Sequence, residues 1–183
     1  MSKGRVILNE QKFALTLQRI CEQLIERYDS FEETCIVGIQ DRGAIFSDRI
    51  VSLLKDRGID TFDYGKLDIS FHRDDYRKRD RPIAPSQTEI DFIIEEKHVL
   101  LVDDVLYTGR SVHAAMSALQ QFGRPARIDL LSLVDRRFNR HFPIRTDFLG
   151  LTVDAIDEAY VKVEWSHIDG KDQIKLFSKK ESS

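Results

Sequence analysis

Val99-Leu100-Leu101-Val102-Asp103-Asp104-Val105-Leu106-Tyr107-Thr108-Gly109-Arg110-Ser111 is the stretch on which the reading of this chain turns. Four apolar residues run into two adjacent carboxylates and a small-residue turn, and a helical pattern follows at once. A short apolar run bounded by turn residues reads as a buried strand. The acids then stand at the strand's carboxyl end, and the turn brings backbone N–H groups to a helix start. Open α/β sheets bind ligands at that edge. The N–H groups and the helix dipole suit a phosphate. Ionised carboxylates accept hydrogen bonds from sugar hydroxyls, or hold a metal. One segment therefore offers matched sites for a phosphorylated sugar. The plainer reading, a buried strand ended by solvated acids, leaves the Thr-Gly-Arg-Ser turn without a purpose.

Bulk properties narrow the setting. A chain of 183 residues suits one domain, 1–183, long enough to bury roughly two thirds of its unfolded surface. A net charge of −3 excludes a generally basic nucleic-acid coat and leaves room for a local basic face. Cys21 and Cys35 lie in apolar runs at no metal spacing, so they read as reduced core thiols of a cytoplasmic protein. Met-Ser-Lys-Gly-Arg at the start has no apolar h-region, and no apolar run approaches ~18 residues. Neither secretion nor membrane insertion is expected.

Strands and helices alternate along the chain. Asn9 is placed to cap a helix whose apolar residues Phe13, Leu17, Ile20, Leu24 and Tyr28 recur at helical spacing. Cys35–Ile39 reads as a buried strand, and a helix carrying Ile45, Ile50, Leu53 and Leu54 follows, with Gly58 just past its end. Strands are expected at Phe62–Ser70, Val99–Val102 and Ile128–Val134, with a helix over Val112–Phe122 stopped by Gly123. This order predicts a parallel α/β sheet. Two regions break it. His72–Thr88 holds five basic residues, three acids and two prolines, and reads as a long mobile loop or a solvated face. Tyr160–Trp165 and Ile174–Phe177 alternate apolar and polar residues around Asp169-Gly170, a β-hairpin signal.

A second turn, Gly38-Ile39-Gln40-Asp41-Arg42-Gly43, also ends a strand and opens a helix. It is either another nest of N–H groups for an anion or an ordinary βα turn. Other acidic or phosphate-binding motifs fit poorly. A phosphoacceptor receiver domain would carry its acids near the first strand, and no G-x-x-x-x-G-K-S/T occurs.

The 99–111 segment resembles the phosphoribosyl-pyrophosphate (PRPP) signature of type I phosphoribosyltransferases. By that resemblance Asp103 and Asp104 receive the ribose hydroxyls. Val105, Leu106, Tyr107, Thr108, Gly109, Arg110 and Ser111 cradle the 5′-phosphate. Gln40, Asp41, Arg42 and Gly43 become the pyrophosphate loop, where family members often hold the peptide cis. Arg73 and Arg77 of the charged loop become catalytic residues that meet the leaving group.

Further stretches fall in order: Arg5-Val6-Ile7-Leu8-Asn9-Glu10, Val37-Gly38-Ile39, Leu67-Asp68-Ile69-Ser70 with Arg73-Asp74-Asp75, Gly123-Arg124-Pro125, and Leu133-Val134-Asp135-Arg136 with Pro143-Ile144-Arg145. From residue 5 to about 178, the chain resembles the bifunctional pyrimidine-operon attenuation regulator / uracil phosphoribosyltransferase family. The resemblance implies a type I phosphoribosyltransferase fold: a mostly parallel central sheet flanked by helices, a β-hairpin flexible loop over 71–89, and a C-terminal hood and hairpin over about 150–178. It implies transfer of ribose 5-phosphate from PRPP to uracil, giving UMP and pyrophosphate. Mg²⁺ is then carried by PRPP, with no metal held by the protein directly. It further implies UMP or UTP sensing, binding to pyrimidine-operon leader RNA, and a homodimer or higher oligomer. Arg136 and Val161 match positions that touch nucleotide in the family, although Val161 equally suits a hairpin core. No role in the chemistry falls to His98, His113 or His141. One departure stands out: the family commonly has a Gly-His-Arg-Glu-Leu-type run before Pro143, and this chain has Arg137-Phe138-Asn139-Arg140-His141-Phe142, one residue longer. Two alternatives stay open, a nucleotide-sensing RNA-binding regulator with little catalysis and a phosphoribosyltransferase for a purine base.

Overall fold

A computed structural model describes residues 4–70, 87–154 and 159–177. The chain runs β1 (Arg5–Leu8), α1 (Glu10–Arg27), β2 (Thr34–Ile39), α2 (Arg42–Lys55), β3 (Asp63–Leu67), β4 (His98–Leu106) and α3 (Arg110–Leu119). It continues as β5 (Arg127–Arg136), β6 (Phe148–Val153), β7 (Tyr160–Glu164), α4 (Ser166–Asp169) and β8 (Gln173–Phe177). Asn9 caps α1, its side-chain oxygen accepting from the Lys12 amide at 3.0 Å. The predicted apolar stripe of that helix is buried.

Five strands form a wholly parallel sheet in the order β3-β2-β4-β5-β6. Period-two alternation sends the residues of β4 to two cores. Leu100 and Val102 join Phe13, Phe46 and Ile50 on the face covered by α1 and α2. Val99 and Leu101 join Val112, Ala115 and Leu119 of α3 on the other. β4 continues through both acids to Leu106, whereas the apolar run alone suggests an end at Val102. Pairing explains the extension: Val105 lies opposite Val134 of β5, and Leu106 opposite Asp135.

A second sheet, antiparallel and ordered β1-β8-β7, forms the hood. The predicted hairpin is its β7–β8 arm, with the short α4 between the strands. Trp165 anchors it. The indole is fully buried, edge-on to Phe13 at 5.3 Å and stacked on Phe46 at 6.0 Å. Two strands escape the sequence patterns. β1 is only four residues long, and β6 is a half-buried edge strand. The hood segment drawn from about residue 150 therefore begins inside the parallel sheet, where β6 pairs with β5, and the hood strands proper start at Tyr160.

Cys21 and Cys35 are free and buried. Burial pushes both thiols up, Cys35 to about 11, which leaves little thiolate for chemistry. The flexible-loop assignment falls mostly outside the described residues, as do Arg73 and Arg77. On its C-terminal flank, Glu89 exchanges two backbone hydrogen bonds with Lys66, of 3.0 and 2.8 Å. Among the described residues, no helix is long and apolar enough to cross a membrane.

Candidate active site

Two strand–turn–helix units meet at the carboxyl edge of the parallel sheet. In the first, β4 delivers Asp103 and Asp104 and α3 opens at Arg110. Gly109 stands between them in the left-handed region, φ +84°, which glycine adopts without the steric cost of a Cβ. A cavity of about 170 Å³ lies in this turn, lined by Asp103, Val105–Leu106-Tyr107-Thr108-Gly109-Arg110-Ser111 and Val112. The seven residues assigned to the phosphate thus share one concave surface with an acid assigned to the ribose.

Both acids are about nine-tenths buried. One Asp103 oxygen accepts from the Asp104 amide at 2.9 Å, which fixes the pair's relative orientation. Burial raises the Asp104 pKa to about 6, against the lowering pull of the Arg42 charge and of backbone N–H donors at Val105 and Asp104 itself. At neutral pH the carboxyl is ionised, a pure acceptor for hydroxyl donors.

The second unit is the β2–α2 turn. Gln40-Asp41 is joined by a cis peptide bond, the form the resemblance implies there. Gly43 lies hard against β4: an added Cβ would sit 2.5 Å from the Val102 carbonyl oxygen and 3.0 Å from the Asp103 Cα. Only a residue without a side chain lets this turn approach the acids so closely. Arg42 opens α2 and donates to the Val163 carbonyl of β7 at 2.8 Å. Gln40 donates through its side-chain amide to the Gln87 carbonyl at 2.6 Å.

The residues assigned to the base belong to different sheets. Arg136, at the end of β5, is buried, with its guanidinium 3.9 Å from the centroid of the Tyr107 ring. Its Nε is buried without a hydrogen-bond partner among the described residues. Val161 is buried in the hood core. A role of its side chain in base contact therefore requires the hood to shift, whereas Arg136 already borders the phosphate turn through Tyr107.

Sequence reasoning missed the closure supplied by the unusual 137–142 run. It folds onto the phosphate turn. The amides of His141 and Phe142 donate to the Thr108 carbonyl at 2.9 and 3.3 Å. Arg140 donates to the Tyr107 carbonyl and also pairs with Asp135. Phe142 stacks on His113, with ring centroids 4.3 Å apart, and the Arg110 guanidinium reaches His141 Nδ1 at 3.1 Å. The signal was present as an arginine-rich, one-residue-longer segment, but its partner was not readable without the fold. Arg137, Phe138, Arg140 and Arg145 also line a neighbouring cavity of about 550 Å³.

Comparison with known proteins identifies the family. A model of the phosphoribosyl transferase domain matches residues 5–167. The Bifunctional protein PyrR of Desulfosudis oleivorans is 36% identical over 174 residues, 95% of this chain and 96% of the relative. The protein of the same name from Bacillus mycoides is 35% identical over 181 residues, 98% of this chain and 100% of the relative. Among solved structures, a hypoxanthine-guanine phosphoribosyltransferase of Bacillus anthracis superposes with a TM-score of 0.70 at 13% identity, covering 97% of this chain and 99% of its own. A hypoxanthine phosphoribosyltransferase of Staphylococcus aureus gives 0.66 at 20% identity, with 93% and 90% covered. At such identities these two show the fold alone. The chain belongs to the phosphoribosyltransferase family and, within it, to the group of bifunctional PyrR proteins.

Proposed function

We propose that this phosphoribosyltransferase joins uracil to the ribose 5-phosphate of PRPP, releasing pyrophosphate and UMP. The observation that carries the reading is the concave turn in which Asp103 shares a cavity with Val105–Ser111. The 5′-phosphate binds the N–H groups and hydroxyls at the α3 start. Asp103 and Asp104 accept hydrogen bonds from the ribose hydroxyls. Uracil N1 gives up its proton to water as it attacks C1′, the C1′–O bond to pyrophosphate breaks, and the departing group settles on the turn from Gln40 to Gly43. Arg73 and Arg77 meet its growing negative charge. Positioning and preorganised charge then supply most of the acceleration. Arg136 meets the base, and Val161 shapes the hood over it.

Among the described residues no group of three or more His, Cys, Asp or Glu is arranged around a metal. The donor set suits Mg²⁺ arriving with PRPP, since that ion is usually held in part by substrate phosphates. Mg²⁺ would be carried to the site by PRPP, with Asp103 and Asp104 orienting the ribose hydroxyls rather than holding the ion themselves, and it would neutralise charge on the leaving group.

The second activity is UMP- or UTP-dependent binding of pyrimidine-operon leader RNA by a homodimer or higher oligomer in the cytoplasm. Arg137, Arg140 and Arg145 around an exposed Phe138 favour it, because RNA recognition combines phosphate contacts with stacking on side chains.

Turnover of labelled PRPP against a panel of bases tests the enzyme: uracil should be used, and an active purine beside silent uracil overturns the reading. Binding of leader-type RNA with UMP present should weaken steeply as salt rises. No binding at low salt removes the regulatory half.

A further inference from the structure

Arg42 belongs by position to the pyrophosphate turn, yet its hydrogen bond points elsewhere. Its Nη1 donates to the carbonyl of Val163, on the strand of the hood that carries Val161 two residues earlier. Its charge acts on Asp104 of β4, where it opposes the burial that raises that acid, and more weakly on Asp169 of α4, whose carboxyl is lowered chiefly by Lys162, so it lies within reach of the acid pair and of the hood together. A second tie leaves the same helix two turns later. Arg49 pairs with the largely buried Asp172 at 2.8 Å, and Asp172 in turn accepts from the Ser166 amide at 2.7 Å. Residues seven apart share one face of a helix. α2 therefore runs as a strut along the hood, with its first residue at the end nearest the acids.

We infer that Arg42 is a positioning residue that fastens the hood strand β7 to the pyrophosphate turn and so sets the geometry of base and nucleotide binding. The inference rests on the proposed uridine-nucleotide site and adds a role for Arg42 beyond holding the leaving group. The two roles separate cleanly with UMP, which carries no pyrophosphate. A guanidinium serving the leaving group alone is silent in UMP binding, whereas a hood fastener is not. The hood also has its own reporter, because Trp165 is the chain's single tryptophan and packs beside β7 against Phe46.

The test compares wild type, Arg42→Ala and Arg42→Lys in the full chain. Circular dichroism checks the fold, calorimetry measures UMP binding, and acrylamide quenching reads Trp165. Lysine keeps the positive charge beside Asp104 but lacks the planar fork. Both variants are expected to bind UMP about tenfold more weakly, the scale of one charge-assisted hydrogen bond. Trp165 should also become more quenchable. If Arg42→Ala does not fold, Arg42→Lys is read alone. UMP affinity within twofold of wild type, or unchanged quenching, overturns the inference. If wild type itself binds no UMP, the uridine-nucleotide reading fails, and quenching of the folded variants still decides whether Arg42 fastens the hood.

Discussion

The two turns at the sheet edge do related work by different means. After β4, the apparatus is local. Two acids, a left-handed glycine and a helix start follow one another within nine residues, from Asp103 to Ser111. After β2, the turn acquires its character from neighbours distant in sequence. Gly43 presses on Val102 and Asp103, and Arg42 reaches the hood at Val163. One turn draws its ligand-facing groups from consecutive residues, with the 137–142 run bracing them from outside, and the other takes its character from tertiary contacts. The contrast teaches that damage to the first should act on ligand groups directly, whereas damage to the second should act by moving backbone.

Substitutions can break that contrast. The largest effect is expected for Asp104→Asn, which should cut turnover at least tenfold, ~1.4 kcal/mol or more of transition-state stabilisation. Steady-state kinetics with PRPP and uracil measures it, and unchanged rates would remove Asp104 from the site. Gly43→Ala comes next. Its Cβ meets backbone rather than a flexible side chain, so the turn must retreat from β4, at about 1–3 kcal/mol of stability. A lowered melting temperature together with slower turnover is the expected pair, and wild-type values for both would show that the close approach is unimportant. Gly109→Ala should cost about 1–2 kcal/mol through the left-handed backbone and raise the Michaelis constant for PRPP.

Proton linkage sharpens the picture of the β4 turn. Burial lifts the folded-state pKa of Asp104 to about 6, above its ordinary 3.8. The folded protein therefore holds this proton more tightly than the unfolded chain does. Stability from this group is greatest below about pH 4, falls as pH rises towards 6, and is lower at neutral pH. Asp104→Asn, expected to turn over more slowly, should nonetheless melt higher than wild type at pH 7.5, by about 2–4 °C per kcal/mol relieved, and should lose that advantage near pH 4. The smallest effect belongs to Asp154→Asn. Its carboxylate pairs with Arg137 on the open surface, where such pairs contribute little, so the melting temperature should not move beyond measurement error.

Much of the architecture was legible because local chemistry and the final fold agree. The helical stripe of α1 with its Asn9 cap, the β4–α3 turn and the Tyr160–Phe177 hairpin all follow from spacing and turn residues. β1 and β6 were not legible. Four residues carry too little periodicity, and a half-buried edge strand mixes its pattern. The site divides in the same way. Residues 103–111 stand out because their roles are consecutive. Asp135, Arg140 and Phe142 did not, since nothing in Asp135–Phe142 names Tyr107 and Thr108 as the groups they cover. Val161 illustrates the opposite difficulty, for an apolar residue on a hairpin has the same pattern whether it fills a core or faces a ligand.

The antiparallel ladder between β1 and β8 joins residues 5–8 to residues 174–176. The hood sheet is consequently stitched from segments about 170 residues apart in the chain, a contact of high sequence separation. All five strands of the parallel sheet precede β8 in the chain, so during translation that sheet can assemble while this seam is still open.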